Sequence, residues 1–280
     1  MNKLPTEART RILHLLCEGS SIRAITRLTG ASKNTVTKLL IDTGRACQAY
    51  HDVHVRGLRS QRIQCDEIWS FTYAKAKNVA TANAAPEGAG DTWTWTAIDA
   101  ATKLAVSWLV GGRDSEYAIA FMDDVAKRLE HRVQITTDGH RAYLEAVEGA
   151  FSGDVDYAQL VKLYGQAPEG QRRYSPPVCI GAVKTLVEGA PDPAHVSTSY
   201  VERQNLTMRM HSRRFTRLTN AFSKKVENHA HAVAPHFMYY NFVRIHKTLR
   251  VTPAMAAGVT ERLWEMADIV AVLERWEAAQ

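Results

Sequence analysis

Residues 92–111 read TWTWTAI, DAATK, LAVSWLVG. The first run alternates Thr and Trp with period two, and a second β-rich run follows a five-residue turn headed by Asp99. Two such runs joined by so short a turn pair as an antiparallel hairpin with one buried face, so the chain must be built around a sheet. Upstream, RIQCDEIWSFTYAK (62–75) is rich in apolar, aromatic and Thr residues and reads as a further strand. The small-residue stretch between them, 78–91, contains Pro86, Gly88 and Gly90 and reads as a loop or wide hairpin tip.

Downstream the period changes. SEYAIAFMDDVAKRLE (115–130) reads as an amphipathic helix capped by Ser115, VQITTDG as a fourth strand ended by Gly139, and HRAYLEAVEGAF as a second helix. DVDYAQLVKLYG (154–165) reads as a fifth strand, and the proline-containing stretch from Gly165 to His195 as mostly irregular. A basic helix over 197–215, a long aromatic-rich helical run over 224–246 and a short helix begun by Thr252 and Pro253 follow. The last segment, ERLWEMADIVAVLERWEAA, is an acidic amphipathic helix that packs on the core or dimerises. Three meandering strands, a helix, a strand and more helices make a mixed α/β (α+β) core in the order of the ribonuclease-H-like fold.

Ahead of the core, residues 5–47 read as three short helices. Ser21 caps the second, Gly30 ends it, and Ser32 caps the third. The third presents Lys33, Asn34, Thr35, Thr37 and Lys38 on its first turns, a helix-turn-helix pattern suited to a DNA major groove. The expected organisation is therefore a helix-turn-helix domain (1–47), a linker (48–61), the catalytic core (62–260) and a C-terminal helix (261–280).

Charge points the same way. Net charge is +6, but eleven Lys/Arg stand against four acids in residues 1–62 and ten against one in 203–250, so the remainder is acidic. Two basic blocks of this kind suit a phosphate backbone, the second more so because most of it is arginine. No apolar run reaches membrane-spanning length and no signal peptide opens the chain. Cys17, Cys47, Cys65 and Cys179 stand far apart without a C-x-x-C pair, so neither disulfides nor a structural zinc is expected, and the setting is cytosolic.

Three acids stand where phosphoryl-transfer chemistry needs them: Asp66 mid-strand, Asp138 at the end of the fourth strand, and Glu202 at the head of the basic helix. An acid in a strand made for burial is costly unless compensated, and Mg²⁺ or Mn²⁺ compensates it. Two such ions about 3.5–4 Å apart serve an in-line displacement on phosphorus. Each acid also has a bland reading. Glu67 rivals Asp66 because a one-residue slip in register exchanges their faces, and Asp138 before Gly139 also suits a turn. Arg209 returns to the face of Glu202, and Arg213 and Arg214 extend the phosphate-binding surface. His229, His231, His236 and His246 are better read as core or DNA-facing residues than as a metal cluster. The six tryptophans and the run FMYYNF are better read as packing.

Taken together, CDEIWSF, TTDGHRAY, SYVERQNLTMRMHSRRF and YYNFVRIHKTLRVTPAMAAG resemble the bacterial insertion-sequence-one family of transposases, within the DDE class. The resemblance covers roughly residues 60 to 260. It implies that Asp66, Asp138 and Glu202 are the metal-binding catalytic triad, and that Arg209 takes the place of a basic residue contacting DNA ends. It implies a bacterial, nucleoid-associated enzyme that frees 3′-hydroxyls at the ends of an element and joins them to double-stranded target DNA, working as a dimer or higher assembly. Family members often begin with a cysteine-based zinc module; here end recognition falls to residues 21–42. Two rival readings are a non-catalytic helix-turn-helix regulator or decayed transposase, and a structure-selective nuclease on the same fold.

Overall fold

A computed structural model describes residues 3–165, 178–216 and 219–280. Its centre is a six-stranded sheet of β1 (Arg62–Thr72), β2 (Gly90–Asp99), β3 (Ala105–Gly111), β4 (Val133–Thr137), β5 (Val155–Tyr164) and β6 (Cys179–Glu188), in the order β3-β2-β1-β4-β5-β6. The first three strands meander antiparallel, β1, β4 and β5 run parallel, and β6 returns antiparallel to β5. That is the ribonuclease-H-like arrangement. The run TWTWTAI forms a strand, with Trp95 opposite Glu67 in the β1–β2 ladder, but not the half-buried one its alternation predicts: every residue from Thr94 to Asp99 is buried, so both faces of β2 are covered.

The helices are α1 (Thr6–Cys17), α2 (Ile22–Thr29), α3 (Lys33–His54), a single turn α4 (Ala76–Val79), α5 (Ser115–Arg128), α6 (Ala142–Phe151), α7 (Ser199–His211), α8 (Val226–Met238), α9 (Pro253–Ala256) and α10 (Met266–Ala278). Local chemistry fixes several of their ends. Ser21, Ser32 and Thr252 each accept a backbone N–H in the first turn of their helices, and Gly30 ends α2 in the left-handed conformation at φ 72°. None of the described helices is long and apolar enough to cross a membrane.

Four further local expectations need correction. Asp114, not Ser115, caps α5, accepting from the backbone N–H of Glu116 and Tyr117. Of the stretch expected to be irregular, residues 166–177 lie outside the described ones, and the described remainder up to His195 is mostly regular, because it holds β6 and a 3-10 turn over Pro193–His195. Every β6 side chain is exposed or half-buried, so no burial pattern marks it in the sequence. The run 224–246 is not one helix. It leaves α-geometry after Met238 for a π-turn over Tyr239–Val243, which lets Asn241 exchange both hydrogen bonds of its amide with the backbone of Ala105 on β3. Finally, the segment expected as a linker begins as helix, because α3 continues to His54.

The helices of the N-terminal segment are not set apart. Ile12, Leu13, Ile25, Val36 and Cys47 belong to the same buried cluster as Ile63, Trp95, Phe237 and Leu273. A buried arginine ties them to the sheet side. Arg128 on α5 donates to Asp52 Oδ1 (2.6 Å) and Asp124 Oδ2 (2.7 Å), and through Nη1 to the His51 ring (3.0 Å).

Candidate active site

The site forms where two strands stop being neighbours. β1 and β4 pair in parallel only over Arg62–Gln64 and Gln134–Thr136, after which β4 ends at Thr137 while β1 runs on to Thr72. Continuing that register sets Asp66 level with Asp138. Beyond Gln64 the β4 side of β1 is open, so neighbouring side chains of one strand can turn toward the same gap.

They do. Asp66, Glu67 and Asp138 each bring a carboxylate oxygen within 4.8 Å of the other two. Asp66 accepts the amide of Asn205, one turn along α7 from Glu202, at 2.8 Å. Burial, then the neighbouring Asp138 and Glu202 charges, push the Asp66 carboxyl up to about 7. Burial, then Asp138 and Asp66, push Glu67 up to about 8, against the partial relief of Arg113. The Glu67 side chain is 1% exposed, and neither of its oxygens has a hydrogen-bond partner. Arg113, resting on the Trp93 ring at 4.6 Å, spans Glu67 and Asp138 with 3.6 Å contacts to each. Asp138 Oδ1 accepts the backbone N–H of His140, the turn role also foreseen for it.

Glu202 sits in the first turn of α7 but outside this trio. Its oxygens are taken by Lys162 of β5 and by the Thr198 hydroxyl (2.5 Å). The helix itself is docked by a residue that sequence reading passed over. Gln64 of β1 accepts the N–H groups of Tyr200 (2.8 Å) and Val201 (3.3 Å), capping α7 from across the sheet. So two of the three expected acids converge, Glu67 joins them, and Glu202 lies close enough to raise Asp66 while bound to other partners.

The basic surface continues along α7. A hollow of about 260 Å³ between the end of β1 and the segment after α7 is lined by Trp69, Phe71, Lys75, Arg209, Arg214 and Phe215. Arg213 is exposed. Arg214 is held from within, its Nε donating to Ser223 Oγ (2.9 Å), and Ser223 bonds the buried His229 ring, which reaches Ser70 on β1. Burial lowers the Arg214 guanidinium to about 10. His229 and His236 are buried core residues, as expected.

Lys33, Asn34 and Lys38 are exposed at the start of α3, and Thr35 and Thr37 are half-buried. Thr37 bonds the Lys33 carbonyl, Thr35 meets the Ser32 cap, and Lys38 pairs with Asp42.

The donor set at the sheet end, carboxylate oxygens only, is that of a hard divalent cation, and the orphaned Glu67 oxygens fit one. No family model and no curated protein sequence matches the chain. Solved structures do. A chain of the simian T-cell lymphotropic virus intasome complex aligns over 89% of this chain and 74% of its own, at 16% identity and a TM-score of 0.42. A pre-cleavage Mos1 transpososome aligns over 85% and 78%, at 12% identity and 0.29. The Mos1 transposase paired-end complex with the left transposon end aligns over 56% and 60%, at 13% and 0.25. Likeness at this level says nothing of chemistry.

Proposed function

We propose that this protein is a DDE transposase of the insertion-sequence-one kind, which cuts the ends of its element and joins the freed 3′-hydroxyls to target DNA. The observation that carries the reading is the gathering of the Asp66, Glu67 and Asp138 oxygens within 4.8 Å at the open end of two parallel strands. Beside it lies a helix that carries Glu202 in its first turn and Arg209 in its last.

In this reading Asp66 and Asp138 would hold Mg²⁺ or Mn²⁺, with Glu202 as a further ligand, and metal bound there would polarise the scissile phosphate and acidify the attacking water or hydroxyl. The chain's residues do the rest. Asn205 fixes the orientation of Asp66, and the Gln64 cap fixes the distance of α7 from β1. Arg209 and Arg213 grip the backbone of the element end, and Arg214, locked by Ser223, gives that grip a rigid edge. Lys33, Asn34, Thr35, Thr37 and Lys38 read the terminal sequence through the major groove. Attack by water on the end phosphodiester releases a 3′-hydroxyl, and that hydroxyl then displaces a bridging oxygen in the target strand. Pairing two ends calls for a dimer or higher assembly.

The test is a labelled duplex carrying the element's own terminal sequence, incubated with Mg²⁺ or Mn²⁺ and again with chelator. Metal-dependent 3′-hydroxyl ends that join a second DNA are expected, and Asp138→Asn should lower cleavage by at least about a thousandfold. Cutting without joining would favour a nuclease on this fold. Binding without cutting would favour a regulator or decayed transposase.

A further inference from the structure

We propose that Glu67 is itself a metal ligand, so that Asp66, Glu67 and Asp138 form a first cation site on the sheet that fills without Glu202. The inference rests on the metal-dependent reading above and deepens it.

The argument begins with an unmet need. A buried carboxylate is kept in native structures by donors, and the buried Asp99 and even the half-buried Asp124 have them. Asp99 accepts from the Ser60 hydroxyl at 2.6 Å and from the backbone N–H of Ala101 at 2.7 Å. Asp124 accepts from Ser107 at 2.5 Å and Arg128 at 2.7 Å. Glu67 is buried more deeply than Asp124 and accepts from no one. The basic nitrogens paired with it, Arg113 Nε at 3.6 Å and His140 Nε2 at 3.8 Å, stand beyond hydrogen-bond reach.

What the side chain does face is the pair of carboxylates most in need of a cation. On an octahedral Mg²⁺ neighbouring oxygens lie about 3 Å apart and opposite ones about 4.2 Å, so three oxygens within 4.8 Å of one another are gathered onto one ion by side-chain movements of about 1–2 Å. Placement is firm on the sheet side, because Asp66 and Glu67 are fixed by pairing with Thr96 and Trp95. Arg113, 39% exposed, spans Glu67 and Asp138 and has solvent to swing into. Glu202 differs in kind. Both of its oxygens are engaged, by Lys162 and Thr198, so the helix acid joins only after those contacts exchange. The sheet trio binds first, and Glu202 serves the second ion.

The experiment measures Mn²⁺ binding to the full chain without DNA, by loss of the free-ion paramagnetic resonance signal. Thermal melting with and without Mn²⁺ runs in parallel. Wild type, Glu67→Gln and Glu202→Gln are compared. Glu67→Gln should weaken the first site by at least about tenfold, the scale of losing a group that shapes a metal site. Glu202→Gln should change it by less than about threefold. Mn²⁺ should raise the melting temperature of wild type and Glu202→Gln but not of Glu67→Gln. A Glu67→Gln protein that melts no lower than wild type without metal shows that the fold is intact. First-site affinity in Glu67→Gln within about threefold of wild type would overturn the proposal, as would loss of the site in Glu202→Gln alone. So would a wild type that binds no Mn²⁺ without DNA. The cleavage assay separates the two readings. Metal-dependent cutting alongside any of these results leaves the transposase standing and removes only the Glu67 assignment, whereas no binding and no cutting removes both.

Discussion

Asp66 and Asn205 meet across the gap between sheet and α7, and the bond is one-sided. The Asn205 amide nitrogen donates to Asp66 at 2.8 Å, while its own carbonyl oxygen is buried without a partner. Replacing it with leucine removes the orphaned acceptor, but it also strips Asp66 of its donor, and a buried acceptor left without one costs about 1–3 kcal/mol. The carboxylate also loses what orients it. Asn205→Leu should therefore melt several degrees lower than wild type and lose roughly 10–100-fold in metal-dependent cleavage. Cleavage at wild-type rate would show that Asp66 needs no such support. At this scale the sequence disclosed types but not pairings. Asp66 and Asp138 stood out because acids are costly in or beside apolar strands, and Glu202 because it heads a basic helix. Glu67 entered only as a rival to Asp66, since strand alternation sends neighbours to opposite faces. That rule lapses here because β4 ends at Thr137 and leaves the edge of β1 open.

Helices α3 and α8 pack closely at one glycine. A Cβ built on Gly44 would lie 2.3 Å from the carbonyl oxygen of His231 and 2.7 Å from its Cα. Both obstacles include backbone, so the helices would have to part. Gly44→Ala should destabilise the protein by about 1–3 kcal/mol or more, despite alanine's better helix propensity. Chemical denaturation measures it, and a stabilised variant would mean that the two helices do not meet there. Element ends show a similar divide between local and distant causes. Ser21, Ser32 and Thr252 were readable as caps because each bonds a backbone N–H three residues on. The start of α7 was not explained locally, because Gln64 serves it from 136 residues away. β6 went unseen for a different reason: a strand with no buried side chain carries no alternation to read.

Across the whole molecule, three histidines lie in surroundings that exclude charge. Burial first, with nearby arginines or a further histidine adding to it, depresses His51, His229 and His236 from 6.5 to about 3. In the unfolded chain these groups take up protons near pH 6.5, whereas folded they stay neutral until about pH 3. Between those values the unfolded state binds more protons at these rings, so their contribution to stability falls as pH falls. Asp66 and Glu67, raised to about 7 and 8, act in the opposite direction over the same range. From pH 7 to pH 4 the melting temperature of a His236→Gln variant should therefore change less unfavourably than that of wild type. Identical pH profiles for the two would mean that the His236 ring is protonated in the folded protein. The histidines span the structure: His51 bonds Arg128, His229 bridges β1 to the basic segment, and His236 reaches Gln204 of α7.

What the sequence by itself determined is what depends on neighbours along the chain. Period-two and period-3.6 runs set the strand and helix order, capping residues set several ends, and charge composition set the two basic blocks. Acids in apolar surroundings marked where chemistry was to be sought. Only the tertiary structure decided which oxygens share one space. It ended β4 at Thr137, turned Glu67 in beside Asp66 and Asp138, and tied Glu202 to Lys162. These outcomes depend on strand register and on where a neighbouring strand stops, and both are settled by packing between residues far apart in the chain.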